Sequence, residues 1–93
     1  DIGNGSVKTF LMNYIEEETS PDILKLILVK LGFYYNIWYF GKDAYMDEML
    51  LDLITETQIK LSGQKSLLLN MNKGEYKKQI KRRYDTQRKE LVG

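Results

Sequence analysis

Residues 31–40 read LGFYYNIWYF, with Leu31 at the start and Phe40 at the end. Six aromatic rings fill the eight positions 33–40. Aromatic side chains favour strands. Whether the segment prolongs a helix or begins a strand therefore decides the fold class. The residues before it speak for a helix. Ser20 is a natural N-cap, Pro21 suits the first helical position, and Asp22 suits the positive end of the helix dipole. From there Ile23, Leu24, Leu26, Ile27, Leu28, Val29 and Leu31 place apolar groups on almost every side. We expect this helix to run on to Phe40 and to form the centre of the fold.

A second reading ends the helix at Gly32, makes residues 33–40 a strand, and sets a hairpin near 57–70 beside it. An isolated strand needs partners, and the sequence supplies them only weakly. The neighbouring segments are helical in pattern. Val7, Phe10, Leu11, Tyr14 and Ile15 have the i, i+3, i+4, i+7, i+8 spacing of an amphipathic helix, with Ser6 placed to cap it. Gly41 can stop a helix in the left-handed conformation, and Asp43 can cap the next. Met46, Met49, Leu50, Leu53 and Ile54 mark the inner face of that helix, which ends at Ser62-Gly63. Residues 65–74 read as a short helix or connector punctuated by Gly74, followed by a last helix from about Glu75 to Leu91. The favoured class is all-α: a small bundle of three long helices with one or two short ones. The alternative is α+β. Residues 1–5 read as a flexible leader or an expression remnant, and 6–93 as a single helical domain, compatible with a piece of a longer protein.

Composition removes many activities. Ninety-three residues suffice for one small core. Cysteine and histidine are both absent, which excludes thiol nucleophiles, His-based triads and Cys/His zinc sites. The lack of cysteine fits a reducing, cytoplasmic setting. No glycine-rich phosphate loop is present. No cofactor is implied and no catalytic or metal-binding residue stands out. Lys25, Lys30 and Asn36 interrupt the apolar run 23–40, which disfavours a membrane span.

Three groups of side chains remain as candidates. Asp43, Asp47, Glu48, Asp52 and Glu56 recur at i, i+4 and make an acidic helix face. Carboxylates so placed can do acid–base work or hold a hard cation, but ligands from a second element are not evident, so a solvated or docking face is the favoured reading. The Glu16–Glu18 run reads as solvent-facing. The aromatic group offers Tyr34, Tyr35, Trp38 and Tyr39 as a protein interface, with core packing as the plainer alternative and base stacking as a third. No basic residue is interleaved within it.

The third group is the tail. Eight basic residues against three acids make residues 73–93 +5; since the whole chain is +1, the remainder is −4. On a helical wheel Tyr76, Ile80, Tyr84 and Leu91 form a narrow packing stripe. Lys77, Lys78, Lys81, Arg82, Arg88 and Lys89 form a broad basic surface, with Asp85 and Lys89 as an internal i, i+4 pair. That surface suits phosphates, an anionic membrane surface or an acidic protein face, including the acidic face of this same chain. The expected function is a non-catalytic protein-interaction or assembly module. Its partner is another protein or a second copy, engaged by the aromatic segment and steered by the basic helix. A nucleic-acid-binding domain using the basic helix is the alternative. A near-zero net charge and the lack of a known binding motif weigh against it.

Overall fold

The computed structural model of the chain describes residues 4–63 and 72–92. Among them stand four α-helices: α1 (Asn4–Glu17), α2 (Pro21–Phe33), α3 (Ala44–Ser62) and α4 (Lys73–Val92). Residues Tyr34–Tyr39 continue α2 as a π-helical turn. The fold is a small all-α bundle. The strand expected as the alternative at 33–40 is helical, and residues 57–62 of its expected hairpin belong to α3. Residues 64–71, with most of the expected connector, lie outside the described residues, as do 1–3 of the expected leader.

Local chemistry explains most boundaries. The Ser20 hydroxyl accepts from the Ile23 amide, Pro21 opens α2 and Asp22 sits in its first turn. Gly41 adopts φ 75°, which only glycine takes without strain, and turns the chain out of the π-helical segment. Asp43 then caps α3, its Oδ1 accepting from the Tyr45 and Met46 amides at 3.0 and 3.1 Å. Gly63, at φ 62°, ends that helix in the left-handed conformation. Two starts differ from the sequence expectation. Helix α1 begins at Asn4, so Ser6 lies inside its first turn and does not cap it. Helix α4 begins at Lys73, because the Asn72 side chain accepts from the Glu75 amide at 2.8 Å. Gly74 is therefore helical and does not mark a break.

The central helix is α3, not the 21–40 helix. Met49, Leu50, Leu51, Leu53, Ile54, Thr55 and Thr57 are all buried. Two threonines inside a helix core need partners for their hydroxyls. Each donates back to the carbonyl four residues earlier, Thr55 to Leu51 and Thr57 to Leu53, both at 2.7 Å. Around α3, helix α1 contributes Ile15, α2 contributes Leu24 and Leu31, the π-helical turn contributes Tyr35, and α4 contributes Ile80. Ile80 is buried and Tyr76 and Tyr84 pack against the same core, so these three residues of the narrow stripe of α4 face inward. Gly32 lets α4 approach α2: a Cβ there would lie 2.9 Å from the Tyr84 hydroxyl oxygen and 3.1 Å from Cε1 of its ring.

Helix α2 packs by one side only. Its opposite side leaves Leu26 64% and Val29 68% exposed. This asymmetry separates the two helices in a stability measurement. Leu53→Ala opens a hole in the centre and should cost about 2–5 kcal/mol in urea unfolding. Leu26→Ser should change the stability of the isolated chain by no more than about 0.5 kcal/mol. A large loss from Leu26→Ser, or none from Leu53→Ala, contradicts the placement of α3 at the centre.

Candidate interaction surfaces

The acidic face of α3 does not meet solvent as a free face. Lys77 of α4 bridges Glu48 and Asp52, reaching Asp52 at 2.6 Å. Lys8 of α1 reaches the other Asp52 oxygen, also at 2.6 Å. Lys73 pairs with Glu56. Burial, and after it the nearby Lys8 charge, hold the Lys77 ammonium below the usual lysine range. The other two acids shape the entry to α3. Asp43 is its cap, and Asp47 accepts from the Gly41 amide at 2.8 Å. Among the described residues no three acids gather as a metal site.

The same pairing thins the basic surface. Lys78 shares its charge with Glu75, and Lys81 with Asp85 at 3.2 Å, so Asp85 pairs back to Lys81 and not forward to Lys89. Arg88 lies over the Phe40 ring, 4.4 Å from its centroid, and Lys81 approaches the same ring at 6.0 Å. Arg82, Arg83 and Lys89 carry no ion pair among the described residues. The cations missing from the aromatic sequence are thus brought to it by α4.

Two further polar groups do local work. Glu18, read from the sequence as solvent-facing, accepts from the Thr19 and Ser20 amides and holds the α1–α2 turn. The Ser20 amide is the leading cause that draws its carboxyl below the usual range. Lys60 donates to the last carbonyls of α1, reaching Ile15 at 2.8 Å, where a cation also answers the helix dipole.

The aromatic group divides in two. Tyr35 is only 1% exposed and belongs to the core, not to an interface. Its ring meets Phe40 at 5.3 Å and Tyr84 at 5.8 Å, both edge-to-face. Tyr39 is half-buried and pairs with Tyr34 at 6.2 Å. Tyr34 and Trp38 are exposed. Both ring pairs within the turn, Tyr34 with Tyr39 and Tyr35 with Phe40, are five residues apart. A π-helical turn bonds i to i+5 and so brings such pairs to one side, which an α-helix does not.

Helix α2 and the turn leave Leu26, Val29, Phe33, Ile37 and Trp38 exposed. A groove of about 520 Å³ runs beside them, walled by Leu11, Ile27, Met46, Met49 and Leu50, with Lys30 and the two tyrosines Tyr34 and Tyr39 supplying its polar groups. A second groove of about 480 Å³ runs along Leu28, Val29, Phe33, Asn36 and Tyr84. Of the residues expected to act in an interface, the fold brings Tyr34 and Trp38 to this surface and sets the half-buried Tyr39 in the groove beside them. Leu26 and Val29 stand on the helix that the sequence led us to expect at the centre of the fold. Their signal was present: a helix apolar on all sides in so small a domain has more apolar surface than one core can take.

No known protein family, curated protein or solved structure matches the chain. Among the described residues no helix is long and apolar enough to cross a membrane.

Burial raises the Tyr35 hydroxyl to about 12, assisted by the charges of Asp85 and Asp47, and burial raises Tyr84 in the same direction. In the unfolded chain Tyr35 ionises near 10.0, so between pH 10 and 12 the unfolded state loses its proton first. Stability is full below that window and falls as the pH rises through it, by up to roughly 2–3 kcal/mol from Tyr35 alone. Tyr35→Phe should lose less stability between neutral pH and pH 11 than the parent chain, read by urea unfolding at the two pH values. An equal loss in both chains contradicts the burial of this hydroxyl as the cause.

Proposed function

We propose that the chain is a non-catalytic protein-interaction module that docks through the outer side of α2 and the exposed rim of the π-helical turn. The observation that carries this reading is the strip of Leu26, Val29, Phe33, Ile37 and Trp38, open to solvent on a helix whose other side is core. Contiguous apolar surface with aromatic members is the usual mark of an interaction site. The alternative, phosphate binding by α4, has less support. Lys77 is tied to Glu48 and Asp52, and Arg88 to Phe40, which leaves Arg82, Arg83 and Lys89 as the cations without a partner in the described residues. Catalysis has less still: chemistry by Asp, Glu, Lys or Tyr needs several such groups converging in a cleft, and the larger groove is walled almost wholly by apolar side chains.

Position-specific photo-crosslinking tests the reading. A benzoylphenylalanine at Val29 should give a protein adduct in the native cell, whereas one at Thr86, on the outer side of α4, should not. No adduct at Val29, or an adduct at Thr86 alone, overturns it.

A further inference from the structure

The geometry points to a second copy of this chain as the partner, seated by a two-fold crossing of α2 on α2. This rests on the docking face proposed above and adds its occupant. The outer side of α2 carries two i, i+4 ridges. One runs Asp22, Leu26, Lys30; the other runs Lys25, Val29, Phe33. The two grooves of about 520 and 480 Å³ flank them, one on each side. Helices that interlock through i±4 ridges cross at about −50°, with the ridges of one lying in the grooves of the other. A surface with ridges at its middle and a groove at either edge fits a copy of itself in this way.

The charges set the register. The first ridge has an acid at one end, an apolar centre and a cation at the other end. Turned about a two-fold axis beside Leu26, the ridge lies antiparallel to its copy. Asp22 then meets the second copy's Lys30, Leu26 meets Leu26, and the second copy's Asp22 meets Lys30. Such isologous contacts make each favourable pair twice. Asp22 and Lys30 are both exposed, and neither has an ion pair among the described residues. A foreign partner would not require this inversion of charge about an apolar centre. Lys25, about 100° round the helix from Leu26, sits at the rim where its ammonium stays wet.

The size of the face sets the strength. The large apolar side chains from Ile23 to Trp38 that face solvent are each 39–68% exposed. Together they offer on the order of 600 Å² per copy, near the lower end for a specific pair. The association is therefore concentration-dependent, without a permanent dimer.

Sedimentation of the chain over a wide concentration range should show monomer and dimer in exchange. Asp22→Lys alone and Lys30→Asp alone each place like charges together twice, and each should weaken the dimer about tenfold or more. An equimolar mixture of the two variants restores both opposite-charge pairs and should return dimerisation towards the parental strength, as a heterodimer. Circular dichroism checks that each variant is folded. Because the chain has no cysteine, Leu26→Cys provides a second and independent test. Under mild oxidation it should form a disulfide-linked dimer, while Thr86→Cys stays monomeric. A parental chain that remains monomeric throughout overturns the inference, as does a dimer indifferent to both charge changes, a mixture that fails to restore it, or no link at position 26. If the parental chain is monomeric while Val29 still crosslinks to a foreign protein, the docking face stands and only its occupant is wrong.

Discussion

Burial of α3 on nearly all its sides is the constraint from which the rest of the arrangement follows. A helix in that position must hide its polar atoms as well as its apolar ones, because an unpaired polar group away from water costs about 1–3 kcal/mol. Thr55 and Thr57 meet this by bonding to their own helix. Asp52 and Glu56 meet it by facing Lys8, Lys77 and Lys73 from two neighbouring helices, and Lys77 also reaches the exposed Glu48 at the rim. The division of charge along the chain thus finds its first use inside the molecule. Exposed ion pairs are worth little each, but Asp52 and Lys77 are partly buried and shared, so they also fix how α4 lies on α3. The mutual pairing leaves α4 with far less free positive charge than its sequence suggests.

The π-helical turn does the complementary job at the other edge. By bringing Tyr35 and Phe40 together edge-to-face it makes a ring cluster that Tyr84, against Tyr35, and Arg88, over Phe40, close from α4. The close passage of Tyr84 over Gly32 adds to the same junction. With α2 thus held from α3 and α4 by its inner side, its outer side has nothing in the described chain left to pack against. The exposed strip follows from the fold's economy of surfaces, since α1, α2 and α4 all share the single central helix.

Much of this was legible in the sequence. The Ser20-Pro21-Asp22 start, the Gly41 and Asp43 junction, the Gly63 stop and the inward stripe of α4 all follow from local chemistry, which a sequence displays directly. The choice of the central helix was not legible in the same way. Apolar content favoured residues 21–40, whereas α3 carries threonines and acids that count against burial until their partners are known. Those partners lie in other helices, and no local pattern connects Lys8 to Asp52 or Lys60 to the end of α1. The interface residues divided for the same reason. Tyr35 and Trp38 look alike in sequence, and only the five-residue period of the turn sends one inward and leaves the other outside.

The fold places much of its charge on internal seams and leaves most of its exposed large apolar side chains on α2 and the turn that continues it. The claim with most consequence is that α2, and not the basic helix, meets the partner. Amide chemical shifts followed through serial dilution of the isotopically labelled chain test it most directly. The account predicts concentration-dependent shifts confined to the amides of residues 22–38, with those of residues 82–89 unmoved. Shifts centred on α4, or none along α2, would contradict it.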